Sequence, residues 1–230
     1  MNIVVDPRFR GPAESANGGY TSGLVAAFFD GPAEVTLRQP PPLGRPLAVA
    51  REGAKVNVTD DGLVIAEAVP ARLDLDVPPA VSYEQAEEAS TGYAGFERHA
   101  FPTCFVCGPA RAPGDGLRIF PGPLEDREAV AAPWIPAADL SDADGTVRPE
   151  FVWAALDCPG AFAVGFGERE ELLLGRLAAE IRAPVRSGDR YVVLGWPLGD
   201  DGRKLYAGTA LFTAAGELCG LARATWIEPA

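Results

Sequence analysis

A short skeleton occurs twice in the 230-residue chain at nearly constant spacing, and this duplication constrains the fold more than any single motif. Leu37-Arg38-Gln39-Pro40, then Gly44 and Leu47-Ala48-Val49, is matched by Ile181-Arg182-Ala183-Pro184, then Gly188 and Tyr191-Val192-Val193, at an offset of 144 (181 − 37). Further on, Thr59-Asp60-Asp61-Gly62 pairs with Thr213-Ala214-Ala215-Gly216 at 154 (213 − 59), the added residues fitting a longer hairpin around Gly199 and Gly202. Two copies of one supersecondary plan are expected.

Periodicity supplies the plan. In the second half, residues 117–120 and 129–134 read as short strands, and Pro149 opens an apolar segment of helical character. Proline suits the first helical position because its missing amide proton would find no partner there. Val152, Leu156, Pro159 and Ala163 fall on one face at 3.6-residue spacing, and Pro159 is expected to kink the helix. After a charged loop at 168–171, residues 177–182, 191–196, 205–212 and 218–227 read as strands separated by turn chemistry such as Ser187-Gly188-Asp189 and Ala215-Gly216. The first half is a shorter copy: Asn17 as helix N-cap, Gly18-Gly19, an apolar segment at 20–29, then strands at 33–39, 46–51, 54–58 and 63–73. Residues 82–90, carrying Glu84, Glu87 and Glu88, read as an exposed linker helix. The expected organisation is a first unit at 1–80, a linker at 81–100 and a second unit at 101–230, in an α+β fold.

Composition narrows the chemistry. With 20 Lys+Arg against 32 Asp+Glu the net charge is −12, which repels phosphate backbones and anionic membranes, so neither nucleic acid nor membrane is expected as a partner. Four cysteines are too few for a secreted disulfide framework, and the first residues lack a signal-peptide pattern, so a reducing cytoplasm is the expected setting. There is one histidine, His99, no Gly-x-Ser-x-Gly elbow and no phosphate-binding loop. Any chemistry must lean on carboxylates, backbone amides or water.

A helix-wrapped antiparallel sheet, doubled in one chain and with a Gly-Gly helix opening, resembles the double hotdog of acyl-CoA thioesterases. Asn17-Gly18-Gly19-Tyr20, followed by Val35-Thr36-Leu37-Arg38-Gln39-Pro40, looks like the first hotdog of medium-chain acyl-CoA thioesterases. Cys104-Phe105-Val106-Cys107-Gly108-Pro109, with Gly116-Leu117-Arg118, looks like the opening of phenylacetyl-CoA-type hotdog thioesterases, and residues 152–159 resemble their acid-bearing helix. The resemblance implies two antiparallel sheets, each wrapped around a central helix.

In the phenylacetyl-CoA type the catalytic Asp lies nine positions after a His-Gly-Gly start. Counting back from Asp157 gives Arg148, followed by Pro149-Glu150 instead of Gly-Gly; counting forward from Asn17 gives Ala26 instead of an acid. The resemblance therefore implies one composite site: Gly18 and Gly19 amides as oxyanion donors, Asn17 to position water or cap the helix, and Asp157 as base or nucleophile. The plainer reading makes Asp157 a helix-terminal residue bonding nearby amides and Asn17-Gly18-Gly19 an ordinary capped start. Glu150 reads as a first-turn acid that suits the helix dipole.

The expected partner is an acyl-CoA or acyl-carrier thioester, with coenzyme A as part of the substrate and no separate cofactor. Arg98, Arg111 and Arg118 are candidates for its phosphates, and surface ion pairing explains them equally well. Trp153 and Tyr20 are candidate substrate contacts. Trp134, Trp153, Trp196 and Trp226 all lie in predicted elements and read as core. Cys104-x-x-Cys107 near His99 has half of a zinc motif, but Cys158 or Cys219 would have to arrive from afar, so a packed turn and no metal are expected ahead of a zinc site or a redox dithiol. His99 reads as a partly exposed linker residue. The alternatives to a thioesterase are a non-catalytic acyl-group binding protein and a hotdog dehydratase. Exposed sheet edges leave room for a homodimer of double hotdogs.

Overall fold

The computed structural model describes residues 1–230 except 168, 170 and 230. The first half runs β1 (Asn2–Val4), α1 (Gly18–Ala26), β2 (Ala33–Leu37), β3 (Pro46–Glu52), β4 (Lys55–Asp60) and β5 (Leu63–Pro70). Helix α2 (Tyr83–Thr91) and strand β6 (Gly122–Pro123) follow. The second half then runs β7 (Val130–Trp134), α3 (Pro149–Ala155), α4 (Cys158–Ala163), β8 (Leu173–Ile181), β9 (Tyr191–Asp201), β10 (Lys204–Thr213) and β11 (Leu218–Ile227). Of the charged loop expected at 168–171, Glu168 and Glu170 lie outside the described residues.

The strand order is β1-β3-β4-β5-β2-β8-β11-β10-β9-β7-β6, antiparallel throughout. About the β2·β8 seam it reads as a mirror: β2 corresponds to β8, β5 to β11, β4 to β10, β3 to β9 and β1 to β7. The repeated Arg-x-Pro segments follow β2 and β8, the two strands that meet.

That meeting corrects the expectation of two sheets. Ala33 lies opposite Ala179 and Val35 opposite Leu177, so the halves share one eleven-stranded sheet. Left apart, β2 and β8 would each present a row of unpaired backbone groups; joined, those rows satisfy one another. Glu34 adds ion pairs to Arg176 and Arg223 of the second half across the seam. The outer edges end in strands of three and two residues, too short to template much further pairing.

Three smaller expectations also change. Residues 117–120 form no strand; Leu117 and Ile119 instead donate their amides to the carbonyls of Phe105 and Val106, stitching this segment to the cysteine turn. Helix α2, capped by a Ser82–Gln85 box, is not an exposed linker: Tyr83, Ala86 and Ala89 are buried with Val192, Leu194 and Trp196. Val193, between them, belongs to the main core, so β9 is covered on both faces. Finally, the kink expected at Pro159 is a full break between α3 and α4.

The central helices lie on one face of the sheet, α1 over β2, β5 and β8 and α4 over β7, β9 and β10. Helix α1 meets α3 along Gly19 and Gly23. A Cβ on Gly19 would collide with Asp157, and one on Gly23 would fall 2.5 Å from Glu150 Cα. As α1 advances from 19 to 23 its contacts fall from 157 to 150, so the helices run antiparallel. Alanine for glycine in a helix ordinarily stabilises it by about 1 kcal/mol. Gly23→Ala is instead expected to destabilise the protein by about 1–3 kcal/mol in urea unfolding, because the added methyl overpacks the crossing. A stabilised variant would show that the helices do not touch here.

Candidate active site

The site begins with a helix cap. Asn17 has extended backbone, and its Oδ1 accepts the Tyr20 amide at 2.8 Å, starting α1 as the sequence predicts. Its Nδ2 is thereby turned away from the helix and donates to Asp157 Oδ2 at 2.9 Å. The Gly19 amide donates to the same oxygen at 3.0 Å. One carboxyl oxygen from the second half thus takes two donors from the first, at the positive end of α1.

Asp157 reaches this place through the break in its helix. Helix α3 stops at Ala155, the Leu156 carbonyl accepts the Thr209 hydroxyl at 2.7 Å, and α4 begins at Cys158 with Pro159 in its first turn. Asp157 stands between the two helices, 1% exposed. Burial pushes its carboxyl up from the usual aspartate range to about 7, and the Gly19 and Asn17 donors pull the other way. Oδ1 is buried with no hydrogen-bond partner.

Asp157 lines a cavity of about 60 Å³ with Gly18, Phe162, Leu174 and Trp226. The Trp226 indole Nε1 is also buried without a partner. Among the described residues, two that line this largely apolar chamber, Asp157 and Trp226, thus each carry an unpaired buried polar atom, the kind of group that buried water satisfies. A surface groove of about 530 Å³, reaching Arg38 and Pro40, shares Pro12, Gly18, Leu173 and Leu174 with the cavity. The Gly18 amide has no hydrogen-bond partner among the described residues.

Asn17, Gly18, Gly19 and Asp157 thus come together as the composite reading expects, and the remaining candidates do not join them. Trp153 is buried against Gly23. Tyr20 is buried in an aromatic cluster, stacked on Phe9 at 4.2 Å, and neither ring lines the cavity. Arg111 donates to the Thr103 and Arg8 carbonyls and pairs with Asp115, while Arg118 donates to the Arg111 carbonyl. Arg98 is exposed, away from the cavity lining. Arg111 and Arg118 hold loops, and none of the three arginines lines the cavity or the groove.

The opposite end of the helix pair is built differently. Arg148 stands at the N-cap of α3 without a side-chain cap bond, Pro149 has no amide proton, and Glu150 pairs with Arg148. Sequence reasoning missed Trp226 as a cavity wall; its only signal was a tryptophan in the last strand. It also expected Cys158 to be remote, whereas α4 sets its sulfur 3.8 Å from that of Cys104.

Asn17 both caps α1 and holds Asp157. Asn17→Ala is expected to cost about 2–4 kcal/mol in chemical unfolding, the cap and the charge-assisted bond together, whereas a cap alone costs about 0.5–2. A loss within the cap range would separate Asn17 from Asp157.

No protein-family model matches the chain, and no curated protein matches it. Solved structures do. A protein from Novosphingobium aromaticivorans assigned as a thioesterase aligns with TM-score 0.63 at 14% identity, covering 100% of this chain and 95% of its own. The TesB protein of Mycobacterium avium subspecies paratuberculosis aligns with TM-score 0.59 at 15% identity, covering 94% and 88%. The acyl-CoA thioesterase II TesB2 of Mycobacterium marinum aligns with TM-score 0.56 at 15% identity, covering 93% and 90%. Along nearly its whole length, the chain shares the double-hotdog fold of these solved structures.

Proposed function

We propose that the protein hydrolyses an acyl thioester, with an acyl-CoA as the first substrate class to test. The observation that carries this reading is the junction of Asp157 with the start of α1: a buried carboxyl with one oxygen held and one free, at the wall of a cavity that a surface groove adjoins. The thioesterase names of its structural neighbours support the choice of reaction class.

The thioester enters along the groove with its carbonyl toward Gly18. The free oxygen of Asp157 takes a proton from water, and the resulting hydroxide adds to the carbonyl carbon. Charge then develops on the carbonyl oxygen. The Gly19 amide is committed to Asp157, so the unpartnered Gly18 amide and the dipole of α1 are the donors placed for that oxygen. Collapse of the tetrahedral intermediate breaks the carbon–sulfur bond, the leaving thiolate takes from Asp157 the proton that it had drawn from water, and acid and thiol leave with the base restored. Asn17 keeps the carboxyl oriented throughout.

A binding protein without turnover is the second reading, favoured by the blocked Arg148-Pro149-Glu150 end and by the small volume around Asp157. The deciding experiment measures free thiol released from short, medium, long and aryl acyl-CoAs by wild type and by Asp157→Asn, which keeps the shape but loses the base. Turnover on at least one class, falling about a hundredfold or more in the variant, is expected. Turnover that survives the substitution removes Asp157 from the chemistry. Binding with no turnover on any class would establish the second reading.

A further inference from the structure

Beside the cavity, three thiols meet. Cys104 and Cys107 stand at the two ends of a tight turn, and Cys158 is the first residue of α4. All three are buried and unoxidised, and their sulfurs lie within 4.8 Å of one another. The Cys104 and Cys158 sulfurs are 3.8 Å apart. A tetrahedral zinc ion with Zn–S bonds of about 2.3 Å requires sulfur–sulfur edges of about 3.8 Å.

The turn is built to present these sulfurs. The Gly108 amide donates to the Cys104 carbonyl at 2.9 Å, and a Cβ on Gly108 would fall 2.5 Å from the Cys104 nitrogen, so only glycine closes the turn. His99 Nε2 lies 3.3 Å from Cys107 Sγ. Its Nδ1 accepts the Phe101 amide at 2.9 Å, which assigns the ring proton to Nε2 and makes His99 a donor to sulfur rather than a ligand. Donors aimed at sulfur are what a metal thiolate cluster uses to orient its ligands and spread their charge.

We propose that Cys104, Cys107 and Cys158 bind one thiophilic divalent cation, zinc by the softness and geometry of the set, with His99 orienting Cys107. Binding replaces three thiol protons with three metal–sulfur bonds and releases those protons to solvent. All three cysteines line the 60 Å³ cavity, so a water or other small ligand completes the tetrahedron from there. The ion would tie the turn at the head of the second half to α4, across 54 positions of chain, directly after Asp157.

The test uses the full chain purified under reductant. Its metal content is measured by mass spectrometry, and after chelation the chain is titrated with Co²⁺. About one zinc per chain is expected, together with the visible d–d and thiolate-to-cobalt charge-transfer bands of a tetrahedral thiolate site. Cys104→Ser and Cys158→Ser are expected to lose the metal, while Cys219→Ser, a buried thiol outside the cluster, keeps it. His99→Ala, which leaves every sulfur in place, is expected to bind about 10–100-fold more weakly. The proposal is overturned if the reduced wild type neither carries zinc nor develops the cobalt bands, or if Cys104→Ser holds metal as the wild type does. A Cys104–Cys158 disulfide forming under the same reductant would overturn it as well. None of these readouts needs substrate, so they stand apart from the outcome of the hydrolysis assay.

Discussion

Asp157 Oδ2, taking one hydrogen bond from the Asn17 side chain and one from the Gly19 amide, joins the two halves at the point where each is least able to stand alone. The first half needs an acceptor at the start of a helix whose opening amides are otherwise unpaired. The second needs donors for a carboxyl that the helix break drives into the core. The sheet seam, the antiparallel crossing of α1 on α3 and the requirement for glycine at 19 and 23 all serve to bring these groups within bonding distance. Shifting α1 by one residue would rotate Gly19 away from Asp157 and bring a side chain into its place.

The balance of forces at this point is unusual for a stable core. A buried carboxyl loses its hydration, and two neutral donors and a helix dipole return only part of it, which is why its affinity for a proton rises. Leaving Oδ1 without a partner forgoes a further hydrogen bond that a nearby serine or amide could have supplied. Groups left unsatisfied inside otherwise complete packing are where a protein stores the capacity to act on something else.

Much of this was legible in the sequence, and the reasons are local. The doubled Arg-x-Pro skeleton marked β2 and β8, Asn17 before two glycines announced a capped helix, and an acid in the least polar stretch identified Asp157. What escaped depends on pairings that leave no local trace. The seam is made by small and aliphatic residues such as Ala33 and Ala179, which read alike in an outer or an inner strand. Residues 117–120 have strand-like composition, but the cysteine turn takes their hydrogen bonds. The arginines of the second-half opening looked free for phosphates because the carbonyls that occupy them belong to loops with no pattern of their own. Cys158 joins Cys104 only because α3 and α4 part where they do.

Division of the site between unlike halves has a consequence for how such a chain can change. Two copies of the first half would set Asn17-Gly18-Gly19 against Ala26, a helix start with no acid to face. Two copies of the second would set Asp157 against Arg148-Pro149-Glu150, an acid facing a proline and another acid. Neither half paired with a copy of itself rebuilds the junction of Asn17 and Gly19 with Asp157, so both unlike halves are needed for it. Two separate chains, one per half, would still hold both parts of the junction, whereas a homodimer of either half would lack one of them.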